Sequence, residues 1–278
     1  MHYGRRVSLT LAPVGADVGI IFSVAGAEID AHWSRVNASK LRTLLANDGV
    51  SVSTVEHLMA ALAALRIDNA LVVLDGDEVP AMDGSARDFV SAIDEAGLVA
   101  LPAPRRALRV AKPVRVSDGA GWAELSPAEA GLQLDVEIAF PAPIGRQRLA
   151  LELTPETFRR ELAGARSFGF LRDAERLWRE GLALGANFDN TLVFDERAAI
   201  NSHGLRFADE CVRHKMLDVV GDLALAGAPI IGAFRSYRGG HGLNIALLEA
   251  ATRAGALAPE FDSARNESAT GTGRSLSP

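Results

Sequence analysis

The stretch Leu101-Pro102-Ala103-Pro104-Arg105-Arg106 constrains the fold of this chain more than any other feature. Two prolines in three residues stop a helix or a central strand, and the adjacent charges keep the link in water. The break leaves a first half of roughly 100 residues and a second of roughly 150, each long enough to bury its own core.

Before the break, Val7–Leu11, Gly19–Phe22 and Asn69–Leu74 read as strands. Val55, Leu58, Met59, Leu62 and Leu65 recur at helical spacing and predict a helix from about Thr54 to Leu65. Ser85 can cap a second helix with Phe89, Val90 and Ile93 on its inner face and Gly97 as its stop. After the break, Leu108–Val110, Val114–Val116 and Trp122–Leu125 carry strand signals, and a clean alternation runs from Leu132 to Phe140. Thr154-Pro155-Glu156 is an N-cap with proline at the first helical position. A short helix over about Asp173–Gly181 precedes a strand at Thr191–Phe194. The longest helix covers about Asp209–Ala226, closed by Gly227 and Pro229, and an apolar strand follows at Ile230–Phe234. This is an α+β grammar in two domains, 1–101 and 105–257. From Ala258 the chain turns polar, and a disordered tail is expected over 258–278.

A net charge of −6 offers no basic field, so no nucleic-acid partner is expected. The single cysteine, Cys211, excludes an internal disulfide framework and reads as a small buried side chain. No apolar run approaches the roughly 20 residues of a transmembrane helix, and the N-terminus shows no signal-peptide pattern. A soluble, cytoplasmic monomer is expected. Glycine-rich nucleotide loops, Gly-x-Ser-x-Gly, His-Glu-x-x-His and Cys-x-x-Cys are all absent from the sequence.

Six histidines remain to be weighed. His214 and Asp218 lie four apart on the longest helix, so their side chains share a face and suit two ligands of one metal ion. Asp222 extends that stripe. A solvated His–Asp pair would have the same spacing. Glu56 stands beside His57 at the start of a helix, where a metal held by His57 would bring a general base within reach of a bound water. Ser53-x-x-Glu56 is equally a capping box. Tyr237-Arg238-Gly239-Gly240-His241-Gly242 reads as a turning or mobile loop, which either delivers His241 to a substrate or is a surface turn. His2, His32 and His203 have no comparable setting.

Taken together these segments resemble the LpxC family, the UDP-3-O-acyl-N-acetylglucosamine deacetylases, zinc amidases of lipid A synthesis. The resemblance is carried by Ser53–Leu58, Ile67-Asp68-Asn69, Pro80–Ala86, Ala165–Phe170, Val212–Leu223 and the run from Gly232-Ala233-Phe234 to Gly240–Asn244, in the family's order over about residues 2–250. It implies helices packed on a β-sheet in each domain, with Zn²⁺, or Fe²⁺ as a substitute, at their interface on His57, His214 and Asp218. Glu56 would be the base, Ser167 would help stabilise the carbonyl oxygen, and His241, kept protonated by Asp222, would protonate the departing amine. Lys215 and Arg238 match positions that contact the UDP diphosphate of the small-molecule substrate, although both could be solvated surface charges. Phe168 to Thr191 matches an inserted β-α-β element that forms the acyl-chain passage, with Phe168 and Phe170 at its start and Leu177, Trp178, Leu182, Leu184 and Phe188 along its wall.

Some positions depart from the family pattern. The family's leading strand is missing ahead of His2, so either the true start lies upstream or a shortened member has an exposed sheet edge in its first domain. Ser167 replaces a threonine, Ile245 a frequent asparagine, and Arg66 a glycine, the last at a cost of about 1 kcal/mol if the backbone is left-handed there. The alternative is a sugar-nucleotide-binding or regulatory paralogue, folded alike but slow or inert because the first strand is gone.

Overall fold

The computed structural model describes residues 2–38 and 41–261. In the first half, β1 (Leu9–Ala12), β2 (Ile20–Val24) and β3 (Ala27–Asp30) lead to β4 (Val36–Ala38), β5 (Leu44–Asn47) and β6 (Val50–Ser53). Then come α1 (Glu56–Ala64), β7 (Ala70–Leu74) and α2 (Arg87–Ala96). The second half opens with β8 (Arg106–Val110), β9 (Val114–Asp118), β10 (Gly121–Ser126), β11 (Leu132–Ala139) and β12 (Arg146–Glu152). It continues through α3 (Pro155–Thr157), β13 (Phe168–Phe170), α4 (Ala174–Arg179), β14 (Leu192–Phe194) and α5 (Glu210–Ala224). The last described elements are β15 (Ile230–Tyr237), α6 (His241–Arg253) and β16 (Leu257–Phe261).

The first half builds a sheet in the order β1-β7-β2-β3 and a small antiparallel sheet β4-β5-β6. The second builds a sheet in the order β12-β11-β15-β10-β9, with β8 beside β15 and β16 beside β8. Among the described residues no strand pairing joins the sequence before Leu101 to that after Arg105, as the α+β two-domain reading requires. β1 lies at one edge of the first sheet, and a cleft of about 1730 Å³ runs along it. The alternation in β11 buries Leu132, Leu134, Val136 and Ile138 on one face. The Thr154 cap forms as read: its hydroxyl oxygen accepts from the Thr157 N–H at 3.1 Å.

Three expectations need correction. The polar tail does not begin at Ala258, because β16 pairs with β8 from Leu257↔Val110 to Phe261↔Arg106; that ladder satisfies backbone groups whatever the side chains' polarity. The rest of the expected tail, 262–278, lies outside the described residues. The glycine-rich segment around His241 is not a loop throughout, because α6 starts at His241. Finally, β3 to β6 and β12 are strands that hydrophobic periodicity left unread.

Helix α1 is buried on nearly all sides and packs against α5. The approach is close enough that a Cβ added at Gly221 would lie 2.0 Å from the carbonyl oxygen of Glu56. Only glycine permits this contact of backbone on backbone. Gly221→Ala is expected to force the helices apart and cost at least about 2 kcal/mol of stability. Thermal unfolding would register it, and an unchanged melting temperature would mean that the helices can separate freely.

Candidate active site

Where α1 meets α5, three buried side chains converge. His57 Nε2 lies 3.6 Å and His214 Nε2 3.4 Å from the same oxygen, Asp218 Oδ1. The two imidazole rings meet edge to face, 5.0 Å between centroids. The other carboxylate oxygen of Asp218 accepts from Lys215 Nζ at 2.7 Å. Asp218 Oδ1 itself is buried with no hydrogen-bond partner. An orphaned carboxylate oxygen is costly unless a cation completes it. A tetrahedral ion with bonds of about 2.0–2.1 Å holds its ligand atoms about 3.3 Å apart, close to the spacing present here. The residues fit a metal ion.

Their protonation suits the same role. Burial, opposed by Asp218, pushes the His214 imidazole down to about 4, so at neutral pH it carries a free lone pair. Its Nδ1 lies 3.1 Å from the Ala165 carbonyl oxygen. That places the proton on Nδ1 and leaves Nε2 to face the cluster. Burial alone would raise Asp218, but the charges of Lys215, His214 and His241 outweigh it and hold the carboxyl well below the usual range. Burial likewise opposes the Lys215 ammonium, and the Asp218 charge and hydrogen bond still leave its pKa raised. Lys215 is therefore part of this buried cluster and not a solvated surface charge.

A second group stands against the first. Glu56 Oε1 and Asp218 Oδ2 lie 3.9 and 3.8 Å from His241 Nε2. On the far side of that ring, Nδ1 is 2.8 Å from Asp222 Oδ2. Asp222 also accepts from Asn244 Nδ2 at 2.8 Å and from the Thr43 hydroxyl at 2.7 Å. Burial would lower His241, but the Asp222 and Asp218 charges and the Asp222 hydrogen bond raise it to about 9. Burial, tempered by His241 and His57, raises Glu56 above the ordinary carboxylate range. The site thus sets a carboxyl of raised pKa beside an imidazole that stays protonated through neutral pH.

The capping-box reading of Glu56 does not hold. Val55 occupies the cap position of α1 with no side-chain hydrogen bond, and the Ser53 hydroxyl has no partner. Glu56 Oε2 accepts instead from the Thr43 N–H at 3.1 Å, across from β5. Thr43 was not legible in the sequence, since it belongs to no motif and meets Asp222 only through the fold.

Other expected residues fall at varying distances from this centre. Ser167 Oγ is 3.2 Å from His214 Nε2, and the Phe168 ring stands edge-on to His214. Phe170 does not reach the cluster; it packs on Phe194, with Arg172 over its face. Arg238 is exposed, with a left-handed backbone, beyond the buried groups. β13 and β14 pair in parallel on either side of α4, so the inserted β-α-β element is present. It exposes Trp178, Leu184 and Phe188 by more than half, so these residues form an open apolar wall and not packed core, while Leu177 and Leu182 are half-buried. His2, unremarkable in the sequence, is buried: its N–H donates to Glu78 Oε1 at 2.6 Å and its ring accepts from the Ala183 N–H.

Two imidazoles and a carboxylate sharing one focus, with a buried base and a protonated imidazole beside it, define a hydrolase. The family model described as LpxC, UDP-3-O-acyl N-acetylglycosamine deacetylase, matches residues 1–253. UDP-3-O-acyl-N-acetylglucosamine deacetylases of Brucella ovis, Brucella abortus and Brucella melitensis are 50% identical over 250 residues, covering 88% of this chain and 87% of theirs. The chain belongs to the LpxC deacetylase family. No helix among the described residues is long and apolar enough to cross a membrane.

Proposed function

We propose that this chain removes the N-acetyl group of UDP-3-O-(3-hydroxyacyl)-N-acetylglucosamine, releasing acetate and the free 2-amino sugar nucleotide in lipid A biosynthesis. The observation that carries this reading is the orphaned Asp218 Oδ1 facing two imidazole nitrogens, with Glu56 and His241 over it. His57, His214 and Asp218 would hold Zn²⁺, with Fe²⁺ as the alternative. Bound there, the ion supplies Lewis acidity that polarises the acetamide and lowers the pKa of a water toward about 7.

The chain's own residues do the rest. Glu56 accepts a proton from the attacking water, which its raised pKa favours once the carboxylate is ionised. Ser167 donates its hydroxyl to the carbonyl oxygen as negative charge grows there. His241 donates from Nε2 to the departing nitrogen, with Asp222 fixing the ring through Nδ1. Arg238 meets the diphosphate from the rim, and Lys215 fixes Asp218 while facing the same approach. Phe168, Phe170 and the exposed wall of the insert shelter the acyl chain. We further propose domain limits of 1–101 and 105–261, the second extended to include β16, a monomer, and a cytoplasmic location. The inert-paralogue reading loses its basis because base, acid and ligand candidates stand together. Acetate release from the UDP-acyl-sugar by the metal-loaded protein tests the whole; bound metal without turnover would restore the paralogue.

The pH profile has a worked-out sign. Glu56 must be ionised, so the rate rises with pH through its raised pKa. His241 must be protonated, so the rate falls as pH passes about 9. A bell-shaped kcat/KM profile is expected, with the alkaline limb lost in His241→Gln. An alkaline limb that survives this change would assign the acid to another group.

A further inference from the structure

Arg42 is a large cation beside the site that the mechanism does not use. Its neighbour Thr43 holds Glu56 through the backbone N–H, which fixes residue 42 against the base. Its guanidinium lies 5.0 Å over the Tyr3 ring and donates from Nη2 to the Tyr3 hydroxyl at 2.9 Å. The Nε and Nη1 groups are buried and have no hydrogen-bond partner. Among the described residues no carboxylate pairs with Arg42: neighbouring Glu78 accepts from the His2 and Tyr3 N–H groups and the Thr54 hydroxyl.

Position narrows what could satisfy these donors. Tyr3, which holds the guanidinium, and His2 both donate their N–H groups to Glu78, which also accepts the Thr54 hydroxyl just ahead of Glu56 and His57. His2 also takes the Ala183 N–H on its ring and the Leu184 N–H on its carbonyl. Arg42 therefore stands between the base and the start of the apolar wall of the insert. In a UDP-3-O-acyl-N-acetylglucosamine the acetamide and the acyl ester sit on adjacent ring carbons. With the acetamide at the metal ligands and the chain directed to the wall, the ester passes between the two.

We propose that Arg42 is a substrate-binding residue whose Nη1–H donates to the carbonyl oxygen of the 3-O-acyl ester. The inference rests on the deacetylase reading, and it assigns recognition of the ester linkage apart from the diphosphate and the alkyl chain. Nη2 is held by the Tyr3 hydroxyl, which fixes the guanidinium plane, and a buried donor left unpaired in the free protein gains its partner only with substrate.

Calorimetry on the metal-loaded protein tests this with three ligands: the deacetylated product UDP-3-O-acyl-glucosamine, its ether-linked analogue lacking the ester carbonyl, and UDP-glucosamine. Arg42→Met is expected to weaken the ester product at least tenfold and UDP-glucosamine less than twofold, with KM for the acylated substrate rising and kcat within threefold. The ether analogue should bind wild type at least tenfold more weakly than the ester, and Arg42→Met should weaken it no further. Equal losses for all ligands, or none, would overturn the assignment. Should Arg42→Met not fold, the wild-type comparison decides alone, since equal affinity for ester and ether removes the role. Acetate release by wild type in the same preparation reports separately on the deacetylase reading.

Discussion

Glu56→Ala is expected to keep its metal and lose about 10²–10⁴-fold in deacetylation, the range that general base catalysis contributes. The metal stays because all three candidate ligand atoms belong to other residues. The fold stays because Glu56 is not a cap: its loss frees one buried N–H, that of Thr43, at about 1–3 kcal/mol. Glu56→Gln separates proton transfer from packing, since an amide oxygen can still accept from Thr43 but cannot take a proton. Metal content by atomic absorption and initial rates of acetate release give both readouts. A full rate in either variant would move the base elsewhere, and loss of metal in both would make Glu56 part of the binding site.

The site was legible in the sequence to the extent that local spacing determines geometry. His214 and Asp218 share a face of α5 because four residues make about one helical turn, and that pairing survives. The neighbouring Glu56 and His57 gave no such certainty. Ser53-x-x-Glu56 has the pattern of a capping box, but α1 begins two residues later than that pattern needs, and burial against α5 turns the carboxylate to Thr43. His241 was misplaced for a related reason. Glycines at 239, 240 and 242 suggest a loop, yet an extended Gly240 simply precedes the first turn of α6. Its high pKa depends on Asp222 from a different helix, which no local pattern encodes. The strands missed in the first half are short, and Arg42 and Thr43 acquire meaning only when the end of β5 reaches α5. Arg66 is the opposite case: a glycine-like position was inferred, and its φ is +62°.

His214→Ala should abolish metal binding where Glu56→Ala does not. The imidazole supplies one of three ligand atoms gathered within 4.8 Å, and alanine offers no donor and leaves a cavity at the focus. His57 and Asp218 then remain as two ligands, too few for a closed protein triad, and affinity should fall by well over about 100-fold, the most that changing an outer-shell partner costs. The signature is thermodynamic as well as catalytic. An ion that binds only the folded state adds about 2.7 kcal/mol at a hundredfold excess over its Kd, so zinc should raise the melting temperature of wild type and of Glu56→Ala. It should leave His214→Ala unmoved, and deacetylation by that variant should be lost with the ion. The apo variant should melt below apo wild type, because the lost imidazole leaves a cavity and takes a partner from the Ala165 carbonyl, so the effect of zinc is read within each protein. A His214→Ala protein that still gains stability from zinc would place the ion on other residues and detach Glu56 and His241 from it.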